Sequence, residues 1–373
     1  MAISFQASES TGGGRAGILK TPHGTVNTPA FMAVGTRASV KGLPPFLLKE
    51  AGAQIVLVNA FHLALRPGAG RIANLGGIQD FMGWSGPVLS DSGGYQVLSL
   101  AGRRSVSEEG VRFRSPVDGA EIFLTPESAV EIQEQLGVDI AMALDELVPG
   151  TAGRDEIARA TERTSRWAGR CVRARKDERT SLFGIIQGGP FADLREASIE
   201  TLTGLPFDGF AAGGFSVGED KDVFRSIAAL TATMMPQNKP RYLMGMGTPL
   251  DLVEAASWGY DLFDCVLPTR NARNGGLFTS KGLVSIKNAA FTESDDPLDK
   301  GCSCWACRNV SRGYLNHLYR SNDPTGLVLN TLHNLTFYLG LMEEIREKIK
   351  KGDLPALREK VARNYPAKTA VSL

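Results

Sequence analysis

The stretch Ser181-Leu-Phe-Gly-Ile-Ile-Gln-Gly-Gly189 is an apolar run that ends in an amide side chain and two glycines. A run without polar alternation is typical of a parallel strand that is buried on both faces. Seven further candidate strands occur along the chain, and helix-like segments lie between most of them. They are residues 30–34, 54–59, 87–90, 138–144, 207–212, 241–245 and 261–266. Eight strands that alternate with helices predict an α/β fold, the (β/α)8 or TIM barrel.

Polar residues or glycines stand at or near the C-terminal ends of most of these runs. They are Asn59, Asp91, Asp145, Gln187, Gly214 and Asp264. The C-terminal ends of the strands meet on one face of such a barrel, and active sites lie on that face. Each residue taken alone could instead cap the next helix or satisfy a loop. Six of them together favour a functional site at the barrel mouth.

Two segments interrupt the alternation of strands and helices. Residues 102–125 contain charged, alternating stretches around Asp118-Gly119, which predicts a β-hairpin insertion. Residues 274–323 are glycine-rich, then basic, then cysteine-rich. The helical pattern returns over 324–351, and this segment would close the barrel.

The composition excludes several classes of protein. The 373 residues include 41 Lys or Arg and 40 Asp or Glu, and the net charge of +1 excludes a strongly basic tail or an acidic disordered domain. This near neutrality also argues against bulk electrostatic binding to nucleic acid. Between residues 265 and 320, however, eight basic residues face four acidic ones. A local patch of this kind suffices to bind one RNA loop.

The sequence favours a reducing compartment and no membrane span. It has no apolar run of about 18 residues, and residues 1–10 lack the basic and then apolar pattern of a signal peptide. Five cysteines cannot all pair, and three of them crowd between Cys302 and Cys307. That usage is typical of metal binding rather than of disulfides. We therefore expect a cytoplasmic protein.

The motif C-x-C-x2-C is formed by Cys302, Cys304 and Cys307. Three thiolates so close together suit a zinc ion better than an apolar core, and a four-coordinate site needs one further ligand. Both His317 and His333 follow the motif. His333 would clamp the cysteine loop to the closing helix, whereas His317 is nearer, and spacing alone leaves it open. Four protein ligands leave no position for a substrate, so the zinc would be structural.

The expected domain organisation is a single barrel domain that covers residues 1–373. It carries the β-hairpin insertion and, near the C-terminus, a zinc-binding subdomain inserted at 274–333. No Pro-rich or Ser-rich linker stands out that would divide the chain.

Two carboxylates at the barrel mouth are suited to glycosidic chemistry. Asp91 follows one strand and precedes Ser-Gly-Gly-Tyr, in which the glycines allow close approach of a flat ligand and Tyr95 offers an aromatic face. Asp264 ends another strand, with Arg270 and Arg273 beyond it. One carboxylate can attack an anomeric carbon while the other manages the proton of the leaving group. The groups between them that could read a purine edge are Asp145, Gln187, Gly213 and Gly214.

A set of short motifs covers nearly the whole chain. They are Val34-Gly-Thr, Val40-Lys-Gly-Leu43, His62-Leu63 with Leu65-Arg-Pro-Gly68, Phe81-Met-Gly83, Asp91-Ser-Gly-Gly-Tyr-Gln96, Ser107-Glu-Glu-Gly-Val111, Leu124-Thr-Pro-Glu127, Leu144-Asp-Glu146, Gln187-Gly-Gly189, Gly213-Gly214 with Val217-Gly-Glu219, Tyr242-Leu-Met-Gly245, Phe263-Asp-Cys-Val-Leu-Pro-Thr-Arg270 and the cysteine cluster. Together these motifs resemble a tRNA-guanine transglycosylase of the bacterial type.

The resemblance implies a base exchange in tRNA. Such a pentosyltransferase would remove guanine from the wobble position of the anticodon and install 7-aminomethyl-7-deazaguanine, through a covalent aspartyl–ribose intermediate, in queuosine biosynthesis. Its partners would be a tRNA with a wobble guanine, the 7-deazaguanine base and a second copy of the chain in a homodimer. The resemblance also implies one structural zinc ion per subunit.

The resemblance also assigns roles to residues. Asp264 would be the nucleophile and Asp91 the general acid and base. Tyr95 and Met244 would stack on the base, while Glu219 and the Phe215 carbonyl would meet the aminomethyl group. The remaining base-binding residues would be Asp91, Ser92, Asp145, Gln187 and Gly214. The tRNA-binding residues would be Gly245, Arg270 and Arg273, and the zinc ligands Cys302, Cys304, Cys307 and His333.

Two positions disagree about the incoming base. Leu147 stands where bacterial members usually have Cys and eukaryotic members have Val. Val217 has the bacterial form, whereas eukaryotic members use Gly there to admit the bulkier base queuine. The branched side chain of Val217 fills the room that queuine needs. We therefore expect the aminomethyl base, with queuine salvage as the alternative.

Three other classes of protein remain open. A barrel that hydrolyses nucleosides or sugars should lack the zinc subdomain and the Pro-Thr-Arg-Asn-Ala-Arg run at 268–273. A noncatalytic RNA-binding subunit need not keep Asp91 and Asp264. No sequence feature excludes the third class, a paralogue that acts on DNA.

A basic stripe is the last sequence feature. Arg159, Arg163, Arg166, Arg170 and Arg173 follow one another at helical spacing. They form either the solvated outer face of the barrel or an auxiliary surface for tRNA.

Overall fold

The computed structural model describes residues 3–7, 14–94, 104–215 and 221–366. Three residues that the sequence connects with base binding lie outside the described residues. They are Tyr95, Val217 and Glu219.

Sixteen strands lie within the described ranges. In chain order, β1 to β16 are Ser4–Ala7, Gly17–Thr21, Gly24–Thr28, Ala30–Val34, Val56–Asn59, Val88–Asp91, Arg104–Val106, Val111–Arg114, Glu121–Leu124, Ile140–Met142, Ser181–Ile186, Gly209–Ala212, Arg241–Leu243, Leu262–Asp264, Gly276–Thr279 and Gly282–Ser285. Strands β4 to β6 and β10 to β14 form a closed parallel barrel, in which β14 pairs with β4. Each of the eight predicted runs supplies one barrel strand, so the predicted TIM barrel is confirmed.

Helices surround the barrel. In chain order, α1 to α14 are Pro45–Glu50, Ala60–Leu65, Ala69–Asn74, Ile78–Met82, Pro126–Leu136, Arg154–Ala174, Ala192–Thr203, Lys221–Met234, Pro249–Ser257, Leu267–Arg273, Trp305–Asn309, Arg312–Arg320, Pro324–Lys351 and Leu354–Asn364, and a 3₁₀ turn covers Ala289–Phe291. Helix α13 is the predicted closing helix. Within the described ranges, no helix is both long enough and apolar enough to cross a bilayer.

Side chains from alternating strand positions fill the barrel interior. This inner cluster consists of Leu19, Val26, Ala30, Met32, Ile55, Leu57, Leu89, Ile140, Met142, Phe183, Ile185, Ala211, Tyr242 and Leu262. Leu19 and Val26 come from β2 and β3, two strands of an N-terminal antiparallel sheet, and pack with the barrel residues. The sheet was not predicted, because its short strands carry no continuous apolar run.

The polar residues at the barrel mouth continue the same alternation. Asn59 follows the inner Leu57 by two residues, and Asp91 follows Leu89 in the same way. Because side chains two residues apart on a strand share a face, these polar groups form the next layer of the interior. Asn59 and Asp91 are also direct neighbours in the ladder between β5 and β6.

The predicted hairpin is part of a three-stranded sheet. Strands β8 and β9 form it, with Asp118-Gly119 in the turn, and β7 adds a third strand.

The basic stripe on α6 holds this insertion. Arg166 pairs with Glu108, and Arg170 pairs with Glu127 at 2.7 Å and also donates to the Glu108 carbonyl. These ion pairs favour a structural interpretation of the stripe.

Candidate active site and metal centre

A cavity of about 350 Å³ opens at the C-terminal ends of the barrel strands. Its lining includes nine of the residues predicted for the site, namely Asp91, Ser92, Asp145, Gly214, Phe215, Met244, Gly245, Asp264 and Arg270. A larger groove of about 530 Å³ lies elsewhere, beside α13 and α14. The predicted catalytic residues therefore meet in the smaller cavity.

Asp264 ends strand β14 and is held by two hydrogen bonds. The Tyr242 hydroxyl donates to its Oδ1 at 2.7 Å, and the Gly245 backbone N–H donates to the same oxygen at 2.8 Å. Burial raises the pKa of Asp264, and these two bonds oppose the rise because they stabilise the ionised form. Gly245, predicted to bind RNA, thus contacts the predicted nucleophile. The sequence assigns Tyr242 no role of its own, although it lies two residues before Met244, and the alternation of a strand indicates that both point into the barrel.

Asp91 is also buried, but its environment is more negative than that of Asp264. Burial, followed by the charges of Asp264 and Asp145, raises its pKa well above the usual range. Within the described part of the chain, its Oδ1 and the Nδ2 of Asn59 are buried without a hydrogen bond of ordinary geometry, although the Asn59 side chain partly opposes the rise in the pKa of Asp91. Because buried polar atoms are normally paired, two such atoms at a cavity wall fit a site that receives a polar ligand.

The two acids share one negative environment but differ in their partners. Adjacent carboxylates cannot both ionise freely, so a proton is retained by the pair. The hydrogen bonds to Asp264 favour its ionised form, whereas the charges of Asp264 and Asp145 favour the protonated form of Asp91. This assignment gives one carboxylate that can attack and one carboxylic acid that can donate a proton.

Asp145 and Gln187 form a buried pair beside the acids. Gln187 Nε2 donates to Asp145 Oδ2 at 2.7 Å, and burial raises the pKa of Asp145 to about 6. Two glycines make room for the pair. A Cβ on Gly94 would lie 2.3 Å from Asp145 Oδ1, and one on Gly214, whose φ is +73°, would lie 2.4 Å from Gln187 Oε1. Glycine is thus needed at both positions.

Two of the predicted arginines lie on helix α10, directly after β14. Arg270 is exposed and lines the cavity. Arg273 is half-buried, and burial followed by the charge of Arg270 lowers its pKa. Its Nη1 has no hydrogen-bond partner within the described residues. Arg270 thus lines the cavity and Arg273 does not, and a cation at the position of Arg270 suits a phosphate backbone.

The predicted metal ligands converge on one point. The ligand atoms of Cys302, Cys304, Cys307 and His333 all lie within 4.8 Å of one another. His333 Nδ1 lies 3.3 Å from Cys307 Sγ and 3.7 Å from Cys304 Sγ. A tetrahedral zinc ion with ordinary bond lengths spaces its nitrogen and sulfur ligands by about 3.5 Å.

The surroundings of the cluster also fit zinc. His333 Nε2 is bound to the Phe278 carbonyl at 2.6 Å, which orients Nδ1 toward the sulfurs. Backbone N–H groups donate to Cys302 Sγ and Cys304 Sγ. His317 is exposed and does not belong to the group. The soft donor set of three sulfurs and one nitrogen, together with its buried position, confirms the predicted structural zinc site.

Together, the barrel, the acid pair at its mouth and the group of three cysteines and one histidine define a TIM-barrel enzyme with a structural metal centre. The family described as Queuine tRNA-ribosyltransferase matches residues 9–367. The chain is 49% identical over 357 residues to the queuine tRNA-ribosyltransferase of Halothermothrix orenii, which covers 96% of each chain. It is 50% identical over 368 residues to that of Pelotomaculum thermopropionicum, with 98% of this chain and 99% of the relative covered. The enzyme of the same name from Oleidesulfovibrio alaskensis is 50% identical over 369 residues, with 98% of each covered.

The chain belongs to the queuine tRNA-ribosyltransferase family. The family and the enzyme class predicted from the sequence, a pentosyltransferase, are thereby confirmed.

Proposed function

We propose that this protein exchanges the wobble guanine of a tRNA anticodon for a 7-deazaguanine base, in the queuosine pathway. The observation that carries the proposal is the contrast between Asp264 and Asp91 at one cavity. Asp264 is hydrogen-bonded in its ionised form, whereas burial and two neighbouring charges raise the pKa of Asp91. Base exchange needs these two groups, a nucleophile and a proton donor.

The first half of the reaction removes guanine. Since Tyr242 and Gly245 both bind Asp264 Oδ1, Oδ2 is the oxygen that attacks C1′ of the ribose. The bond from C1′ to N9 breaks, and its electron pair stays with the base. Asp91 transfers its proton to the leaving guanine, and the ribose is then bonded to Asp264 as an ester.

The second half reverses these steps with another base. Asp91, now a carboxylate, takes the proton from N9 of the incoming base, and N9 attacks C1′. The ester bond breaks and Asp264 is again a carboxylate. Two displacements at C1′ preserve the configuration of the glycosidic bond, and neither an oxidant nor a reductant is needed.

The base would lie between Met244 and Tyr95, with its edge on Asp145. A partly protonated Asp145 can both donate to a purine and accept from it, and burial raises the pKa of this group to about 6. We propose that Ser92, Gln187 and the Gly214 N–H complete this recognition. Glu219 and the Phe215 carbonyl would meet an aminomethyl group on the incoming base.

We propose 7-aminomethyl-7-deazaguanine as the incoming base, with queuine as the alternative. Leu147 is buried and lines the cavity, so its branched side chain takes up space beside the base. Competition of the two bases for one tRNA distinguishes them. A lower KM for queuine would exclude the aminomethyl base as the preferred substrate.

The tRNA would be bound at the rim. We propose that Arg270 and Arg273, together with the Gly245 backbone, hold the anticodon loop so that the wobble base enters the cavity. The base must leave its stack to reach Asp264. We further propose a homodimer in the cytoplasm, each subunit one barrel domain with its zinc-binding insertion at 274–333. Sedimentation with and without tRNA tests the dimer.

Incorporation of radiolabelled guanine into unmodified tRNA tests the exchange. The wild type should label tRNA with a wobble guanine, and Asp264→Asn should abolish both the labelling and any denaturant-resistant adduct with tRNA. Asp177→Asn, near the opposite end of the barrel, is the matched control and should keep full activity. If the wild type labels no tRNA, the exchange is contradicted and a noncatalytic RNA-binding subunit is the remaining interpretation. Release of free base from nucleosides would indicate a hydrolase. Labelling of DNA instead of tRNA would indicate the DNA paralogue.

A further inference from the structure

Arg195 is a fully buried cation directly behind the cavity wall. It lies on helix α7, and its exposed fraction is 0%. Its guanidinium donates to the Gly189 carbonyl at 2.9 Å, to the Gly213 carbonyl at 3.0 Å and to the Ile186 carbonyl at 3.4 Å. It also stacks on Phe215, with Cζ 4.1 Å from the ring centroid.

These contacts join two loops that follow neighbouring strands. Gln187-Gly-Gly189 follows β11, and Gly213-Gly-Phe215 follows β12, which pairs with β11. The two loops are closely packed. A Cβ placed on Gly213 would lie only 2.9 Å from Gln187 Nε2. The side chain of Arg195 thus binds the backbone on both sides of Gln187, and beside Gly214 it binds the Gly213 carbonyl and the Phe215 ring.

We propose that Arg195 is a positioning residue that sets the spacing of these two loops and thereby the affinity for the purine base. The inference rests on the proposed function for the nature of the ligand. A buried cation is costly unless its donors are satisfied, and here three carbonyls and an aromatic face satisfy it. Only the planar, rigid fork of arginine reaches both loops at once, since a lysine ammonium is a point donor.

The experiment compares Arg195→Lys with Arg241→Lys. Arg241 is a second buried arginine that donates to backbone carbonyls, those of Met235 and Pro236, but it lies at the N-terminal end of its strand. Binding of labelled guanine to the free protein is measured by equilibrium dialysis. The KM for guanine, the KM for tRNA and kcat are measured by exchange.

For Arg195→Lys we expect the Kd and the KM for guanine to rise about tenfold, while the KM for tRNA and kcat stay within about twofold of the wild type. Arg241→Lys should leave all four values unchanged. An unchanged guanine affinity in Arg195→Lys would overturn the inference. A parallel loss of base binding, tRNA binding and kcat would overturn it too, because such a loss indicates a general structural role.

A second variant covers the case in which Arg195→Lys does not fold. Phe215→Leu removes the aromatic face on which the Arg195 guanidinium lies and should weaken guanine binding selectively in the same way. Unchanged binding there would contradict the inference. The proposed function fails separately, if the wild type binds guanine but incorporates none into tRNA.

Discussion

At the scale of single residues, two identical side chains have different neighbours, on which the opposite roles proposed for them depend. Asp264 receives the Tyr242 hydroxyl and the Gly245 N–H, whereas Asp91 faces the charges of Asp264 and Asp145. If these donors bound Asp91 instead of Asp264, the ionised form would be favoured at Asp91 and the protonated form at Asp264. The division of roles therefore depends on the donors around the carboxylates.

Tyr242→Phe tests this division. The variant removes one donor from Asp264, so the ionised form loses stabilisation and the pKa of Asp264 rises. We expect the acidic limb of the pH–rate profile for exchange to move up by about one unit, because Asp264, the proposed nucleophile, is then protonated at a higher pH. Tyr260→Phe, which removes a buried hydroxyl bonded to the Ala228 carbonyl, is the control. An acidic limb that stays in place in Tyr242→Phe would contradict the role of the hydroxyl.

Asp145 links the site to stability. Burial raises its pKa from 3.8 to about 6, so the folded state binds more protons than the unfolded state between these values. This contribution to stability is full below pH 3.8 and is lost as the pH rises through 6. The unfolding free energy of the wild type should therefore fall between pH 5 and pH 8. In Asp145→Asn this fall should be smaller by about 1–2 kcal/mol. Urea denaturation at both pH values measures the difference, and equal losses would contradict it.

At the scale of elements, helix α6 and the three-stranded insertion show how charge is used outside the site. Arg170 forks onto Glu127 and lowers the pKa of that carboxyl to about 2. The indole of Trp167 beneath it donates to the Glu108 carbonyl at 2.8 Å. Glu127 lies on α5, so its ion pair joins α6 to α5, whereas the hydrogen bonds to the Glu108 carbonyl join α6 to the insertion. We expect the exposed ion pair to contribute less to stability than the buried ring and these backbone hydrogen bonds.

A double-mutant cycle with Arg170→Gln and Glu127→Gln checks this ranking. The Glu127 side chain is 48% exposed, so solvent screens the pair, and we expect a coupling of about 1 kcal/mol or less at neutral pH. The depressed pKa of Glu127 means that this stabilisation is present above pH 4.5 and is lost as the pH falls through 2. Thermal and urea unfolding give the coupling. A value above about 2 kcal/mol would contradict the ranking.

The elements also show what the sequence could predict. The barrel strands were found because burial on both faces leaves a continuous apolar run, as in β11. The run 138–144 was too long, since only Ile140–Met142 forms the strand and the Leu144 N–H bonds to Cys171 Sγ instead. Arg195 and Tyr242 were not assigned roles, because they act through contacts between separate strands and helices. No local pattern reports such contacts.

At the scale of the whole molecule, the metal cluster joins the cysteine-rich segment to the helix that closes the barrel. The three cysteines lie between residues 302 and 307, and His333 lies on α13. The next residue, Asn334, donates to the Pro268 and Gly276 carbonyls and accepts from the Phe278 N–H. The cluster is therefore connected to α10, which carries Arg270 and Arg273.

Removal of one zinc ligand should therefore affect both stability and tRNA binding. We expect His333→Ala to lose its bound zinc and at least about 3 kcal/mol of unfolding free energy, a small share of the ~10–16 kcal/mol that structural zinc contributes in zinc-finger peptides. The KM for tRNA should rise more than the KM for guanine, because α10 is linked to the cluster and the base-binding loops are not. His317→Ala, on an exposed residue of α12, should retain one zinc ion per chain by elemental analysis. If His333→Ala kept its zinc while His317→Ala lost it, the ligand set would be wrong. An equal rise of both KM values would contradict a specific link between the metal cluster and the arginines proposed to bind tRNA.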